Sequence, residues 1–222
     1  MVWPTSAVPE TETPDAADAK ILGHADGTVD LDRVYFSYVP EIRLIEDLSL
    51  NVKAGQKIAV VGKTGCGKTT LINLLMRFYD VNSGAIAVSK TNVEEMTRDS
   101  LRAQFGMVLQ ETWLKSGTVR ENIAYGKPDA SDYEIVSAAV AAHADGFIKR
   151  LPDGYDTVCS EGMFSQGEWQ LLSIARAAAA DPAVLLLDEI TANLDAETEA
   201  RVLDALRRAS EGRTVLSVSH RI

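Results

Sequence analysis

The chain has 222 residues, 46% of them hydrophobic, and sets 22 Lys and Arg against 32 Asp and Glu for a net charge of −10. That length can bury a substantial core, either as one large α/β domain or as a core domain with a smaller subdomain. The acidic balance argues against nucleic acid as a partner, because such binding rests on basic side chains that neutralise phosphates. No uninterrupted apolar run is long enough to span a bilayer, and the Met1 end lacks the basic-then-apolar order of a signal peptide. Any membrane role must then come through a partner. Cys66 and Cys159 stand far apart without ligand-like spacing, which indicates neither a zinc site nor a disulfide framework and fits a reducing, cytosolic setting.

In chain order, the opening "MVWPTSAVPETETPDAADAK" is rich in Pro, Thr, Ala and acids and has no period, so residues 1–27 read as a disordered linker and the folded domain as 28–222. "TVDLDRVYFSY" and "LIEDLSLNV" alternate like half-buried strands, predicting two antiparallel strands at one edge. "KIAVV" reads as a short buried strand, and "AVLLLDE" and "RTVLSVSH" repeat its character downstream beside helical segments, the pattern of a mostly parallel sheet. Between them "SDYEIVSAAVAAHADGFIKRL" sets Ile135, Ala138, Ala139 and Ala142 at helical spacing, so a helical subdomain over roughly 112–178 is expected, apart from the sheet.

The strongest chemical signal is "GKTGCGKTT", between the strand "KIAVV" and the helix "TLINLLMRFYD". It satisfies G-x-x-x-x-G-K-[ST] with Gly62, Gly67, Lys68 and Thr69, and the whole loop of Gly62, Lys63, Thr64, Gly65, Cys66, Gly67, Lys68, Thr69 and Thr70 is assigned to nucleotide binding. Glycine lets the backbone wrap phosphate oxygens closely while the helix N-terminus adds its dipole. Lys68 would reach the β and γ phosphates, and the Thr69 hydroxyl would hold Mg²⁺, a hard cation that prefers oxygen. The plainer alternative is a turn that only shapes the corner. In "VLLLDEI" a buried strand delivers Asp188 and Glu189 to its C-terminal end, where open α/β sheets place their sites. Asp188 suits the Mg²⁺ shell and Glu189 suits polarising a water; alone, the pair would read as solvated strand-end acids.

The phosphate loop, "FSQGE" before a helix, "VLLLDE", "NLD" and "SVSH", in that order, resemble the nucleotide-binding domain of the ATP-binding cassette (ABC) family. The resemblance covers about Thr28 to Ile222 and implies a P-loop NTPase fold: a mostly parallel sheet, an antiparallel β subdomain and an α-helical subdomain. It implies that Ser165, Gln166 and Gly167, in the place of the family signature, face the γ-phosphate of a nucleotide bound by a second subunit. The bare helix start fits an anion site, although Ser165 as a simple cap of its own helix is compatible with that. The resemblance further implies that Tyr38 stacks on adenine, that Gln110 contacts Mg²⁺ and senses a membrane domain, that Asp195 links two active sites, and that His220 is the switch histidine near the γ-phosphate. Without the resemblance Tyr38 reads as a strand-end tyrosine, Gln110 as a surface glutamine and Asp195 as an N-cap.

"SGTVRENIAYG" and "LPDGYDTVCSEG" resemble the exporter branch, whose cassette follows a membrane domain on the same chain. Four departures stand out: a segment from Glu161 to Ser165 shorter than the usual exporter form, Gln166, Glu168 in place of the usual neutral glutamine, and an end at Ile222 where family members continue. The expectation is therefore an ATP- and Mg²⁺-dependent ATPase cassette, shortened at its C-terminus. It would dimerise with an identical or related nucleotide-binding domain and work at the cytoplasmic membrane face through a transmembrane domain, without nucleic acid. Two other readings stand beside it: an ATP-binding dimerisation module without turnover, and a soluble ABC ATPase of DNA repair or translation. The acidic charge and the absence of cysteine pairs and coiled-coil heptads weigh against the last.

Overall fold

A computed structural model describes residues 12–63, 65–109, 115–160, 162–188, 190 and 194–219. Two four-stranded sheets organise them. The first is antiparallel, in the order β2-β1-β4-β5, from β1 (Val29–Phe36), β2 (Ile45–Val52), β4 (Ser83–Val88) and β5 (Thr91–Asn92). The second is parallel, in the order β3-β8-β7-β6, from β3 (Lys57–Val61), β6 (Phe105–Val108), β7 (Val184–Asp188) and β8 (Thr214–Ser219). Every crossover of the parallel sheet carries helix, as parallel pairing requires.

The antiparallel strands form a sheet of their own, with β1 in its interior, instead of a two-stranded edge. β4 escaped the sequence reading because "SGAIAV" opens on small residues and offers only Ile86 and Val88 as buried bulky ones. Within β1 the buried residues are Val29, Leu31, Val34 and Phe36, a pattern that skips one position. The register against both neighbours shifts after Leu31 or Asp32, and Arg33 takes φ 45°. The extra residue restores the alternation, so the apolar face stays inward along the whole strand.

In the parallel sheet, Val184 and Leu186 face one side while Leu185 and Leu187 face the other, and all four are buried. Both faces of β7 are covered, which explains a run with no alternation. β3 differs from the expectation of a buried strand: it lies at the edge among the described residues, Ile58 and Val60 are half-buried and Val61 is 49% exposed. Period-two composition cannot tell an edge strand from a central one, since pairing partners decide it.

One core joins Val184, Leu186, Leu216 and Val218 to α1 (Lys68–Leu75) and to the antiparallel sheet through Val29, Leu31 and Val88. The other joins Val108, Leu185, Leu187 and Val215 to the helices α3 (Val119–Ile123), α4 (Asp132–Ala141), α5 (Asp145–Ile148), α6 (Gln166–Ala179) and α7 (Ala196–Ala209). Ile135, Ala138, Ala139 and Ala142 are all buried there, and α6 lies between α4, α7 and β6, so this helical layer and the sheet share one continuous core. The described part of the opening segment, 12–27, is not a free linker. It runs along α2 (Arg98–Arg102), with Ala25 buried and Lys20 bridged to Met96. Composition registered its polarity and missed that its acids have arginine partners far along the chain.

Candidate nucleotide site

The register of the parallel sheet builds the site. Val61 pairs with Ser219 and Asp188 with Val218, while Val108 pairs with Leu187, so the C-terminal ends of all four strands lie side by side. The loop Gly62–Gly67 leaves β3 there, Asp188 ends β7 there, and His220 follows β8 directly in sequence. Thr64, Gln110, Glu189 and His220 lie outside the described residues. The structure thus brings together, at one edge, the starting points of three separate motifs.

Within the loop, Gly67 holds φ 94° at the N-cap of α1 with no side-chain cap, a conformation that L residues avoid, and leaves the first helical amides to the loop mouth. Gly62 also has little room, since a Cβ there would lie 2.6 Å from Cys66 Sγ and the thiol would have to move aside. Lys68 is buried and folds back over the loop, its Nζ donating to the carbonyls of Gly62 (2.7 Å) and Lys63 (3.0 Å) and lying 4.0 Å from Cys66 Sγ. Its ammonium is therefore held over the mouth before any phosphate arrives. Lys63, Gly65, Cys66 and Thr69 are exposed around it.

Thr70 is buried, and its hydroxyl lies 3.2 Å from the Tyr38 hydroxyl. Tyr38 packs nearly perpendicular to Phe36 (4.9 Å between centroids) and to Tyr79 (5.0 Å), and lines a cleft of about 580 Å³ with Ser37, Arg43, Ile45 and Asn82. An aromatic platform is thus tied to the second residue after the loop lysine. Nothing in the sequence pointed to Tyr79, Phe36 or Thr70 as its supports, because they come from three different elements.

At the helix start of "FSQGE", Ser165 caps α6, its Oγ accepting from Glu168 N at 3.3 Å while Glu168 Oε2 accepts from Ser165 N at 2.9 Å and from Ser165 Oγ at 3.0 Å. Glu168, the departure from the family signature, therefore closes a capping box. Ser165 and Gln166 are exposed, but Gly167 is buried against α7, where a Cβ would stand 2.2 Å from Thr198 Cγ2. Asp195 caps α7, accepting from Glu197 N (3.1 Å) and Thr198 N (3.0 Å), and the Thr198 side-chain hydrogen bond foremost, followed by the Thr198 backbone bond, holds its carboxyl below the usual range. The two helix starts thus abut through Gly167 and Thr198. At the other side α6 reaches β6, Gln170 Nε2 donating to Leu109 O at 3.5 Å, one residue before Gln110.

The profile of the family described as ABC transporter matches residues 45–192, from β2 through the loop, the α6 start and the end of β7. The chain belongs to the ABC transporter family. It is 48% identical over 203 residues to the fatty acid ABC transporter ATP-binding/permease protein of Mycobacterium bovis, a match covering 90% of this chain and 32% of that protein. It is 43% identical over 216 residues to the ATP-dependent lipid A-core flippase of Desulfotalea psychrophila, covering 96% of this chain and 37% of that one. Among solved structures, a bacterial Atm1-family ABC exporter with ATP bound superposes with a TM-score of 0.86 at 40% identity, covering 95% of this chain and 37% of that one. The chain spans about a third of the length of these ABC relatives. No helix among the described residues is long and apolar enough to cross a membrane.

No cluster of three or more His, Cys, Asp or Glu that could hold a metal occurs among the described residues. A magnesium ion would instead draw one hydroxyl and one carboxylate from protein and the rest from phosphate and water. Thr69 and Asp188 offer those two donors in this ABC chain, and Gln110 lies outside the described residues.

Proposed function

We propose that this chain is the ATP-binding and hydrolysing cassette of an ABC exporter. The alignment of strand ends carries the reading: the phosphate loop after Val61, the carboxylate of Asp188 and the end of β8 at Ser219 share one edge of the parallel sheet. A triphosphate on the loop would receive the Gly65–Thr70 amides and the Lys68 ammonium, which exchanges carbonyl partners for phosphate oxygens. Tyr38, anchored by Thr70, would stack on the base. Magnesium, held by Thr69 and Asp188 with Gln110, would neutralise phosphate charge. Glu189 would orient the attacking water and His220 would contact the γ-phosphate, so that in-line displacement needs positioning and charge stabilisation above all.

In a dimer, Ser165, Gln166 and Gly167 of one subunit would close on the nucleotide of the other, with Asp195 at the seam. The exposure of Ser165 and Gln166 at the tip of α6 supports that role, although the capping box engages the Ser165 hydroxyl and the Glu168 amide, so those groups would exchange partners on closure. Partners would be a second nucleotide-binding domain and a transmembrane domain, at the cytoplasmic face of a membrane. The test pairs ATP binding by calorimetry with phosphate release. Lys68→Ala should abolish both, and undiminished affinity in that variant would overturn the assignment of the loop.

A further inference from the structure

The segment 12–25 is built into the far end of the phosphate-loop helix. Arg77 follows α1, and Arg98 and Arg102 belong to α2; the side chains of Arg77 and Arg98 are only 6% and 8% exposed. These guanidinium groups serve the carbonyl end of α1, Arg98 Nε donating to Arg77 O (3.4 Å) and Arg102 Nε to Met76 O (3.1 Å). Arg77 donates in turn to Val93 O (3.2 Å) and Met96 O (2.9 Å), tying the same turn to the start of α2.

Two cations so poorly solvated, with the half-buried Arg102 beside them, require anions close by. Asp80 supplies one, 3.0 Å from Arg77 Nε. The others come from the opening segment. Asp15 accepts from Arg98 Nη1 (2.7 Å) and from the Arg98 backbone N–H (3.0 Å), and Glu12 accepts from Arg102 Nη2 (2.6 Å). Beyond the charges, the backbone is stitched down: Lys20 N donates to Glu95 O (2.7 Å), Thr97 N to Lys20 O (2.9 Å) and Ala25 N to Gln104 Oε1 (2.8 Å).

We infer that residues 12–25 form an acidic clasp on Arg77, Arg98 and Arg102 that clamps the carbonyl end of α1, coupling the polypeptide ahead of the cassette to the loop at the helix's other end. The coupling rests on the nucleotide reading of the loop; the clasp does not. α1 is eight residues long and stiff, so a displacement of its last turn reaches Lys68 at its first. Withdrawing Glu12 and Asp15 leaves three guanidinium groups facing one carboxylate, and the repulsion would loosen the turn that they hold.

The experiment uses the whole 222-residue chain, wild type against Glu12→Gln/Asp15→Asn, with Glu12→Asp/Asp15→Glu as the conservative control. Hydrogen exchange should show the amides of Lys20, Ala25 and Thr97 protected in wild type and faster by about tenfold or more in the neutral variant, with β7 unchanged. Random-coil exchange of Lys20 and Ala25 in wild type would overturn the clasp. The neutral variant should bind Mg-ATP about fivefold more weakly and the charged control much less so. By reciprocity, ATP should slow exchange at Lys20 and Ala25 in wild type. Equal ATP affinity in all three proteins would end the coupling while leaving the nucleotide reading intact; absence of ATP binding in all three would end both, and the exchange rates alone would then decide the clasp.

Discussion

At the scale of single residues, contacts across elements decide which substitutions matter. Gly167 belongs to the motif read as an anion site, yet its missing Cβ also serves packing, because the Thr198 methyl occupies that space. Gly167→Ala should cost about 1–3 kcal/mol in stability, the usual penalty of overpacking. Adding Thr198→Ser, which removes only the methyl, should recover much of it in a denaturant midpoint; an undiminished penalty would place the strain elsewhere. Tyr38 allows a second separation. Because Lys68 and the loop amides take the phosphates, Tyr38→Ala should weaken ATP by about 1–3 kcal/mol, the worth of base stacking on an aromatic ring. Inorganic tripolyphosphate should bind both proteins alike, and equal losses for both ligands would count against a base platform.

At the scale of elements, the helix starts follow one local rule. α3, α4 and α6 all begin with a capping box, Thr118 with Glu121, Ser131 with Glu134 and Ser165 with Glu168. Each is an [ST]-x-x-E spacing visible in the sequence. Two of these boxes lie outside the proposed signature, so a capping role for Glu168 needs no nucleotide to explain it. In the α4 box, the bond from Lys127 at 2.5 Å, then those from the Ser131 side chain and backbone, push Glu134 down to about 2. A depressed carboxyl contributes stability that is complete above its unfolded value, about 4.3, and disappears as pH falls through the folded value. The α4 cap should therefore persist at pH 4 and fail near pH 2. A carboxyl-carbon NMR titration of Glu134 with a midpoint in the ordinary glutamate range would refute this. Glu134→Gln should abolish that step of the acid response.

At the scale of the whole molecule, the two cores lie on opposite faces of the parallel sheet, and the phosphate loop and the α6 start belong to different ones. α1 packs with the antiparallel sheet, whereas α6 packs with α4 and α7, so the two motifs are carried by separate layers that meet at β7. Such a division suits a site completed by a second subunit. Glu189→Gln, which should leave ATP affinity intact while slowing hydrolysis, is expected to accumulate an ATP-bound dimer. Light scattering should show the mass doubling on addition of ATP; no change in mass would count against closure of two such chains on shared nucleotides.

The sequence by itself determined the motifs whose meaning is local. The phosphate loop, the apolar run into Asp188 and the capped helix starts each need only a few consecutive residues, and their spacing states the chemistry. It also carried the family resemblance, because five motifs in order are a one-dimensional signal. Tertiary structure decided whatever depends on partners distant in the chain. Among the described residues β3 became an edge strand and β1 an interior one through pairing, which composition does not encode. The acids of 12–27 turned from linker composition into a clasp because Arg77, Arg98 and Arg102, more than sixty residues away, converge where Glu12 and Asp15 run past. Gly167 acquired a packing role from Thr198, and Tyr38 its anchors from Thr70, Phe36 and Tyr79. Chain order fixes what each segment can form on its own, but burial and charge compensation are settled only when segments meet, since the energy of each contact belongs to the pair.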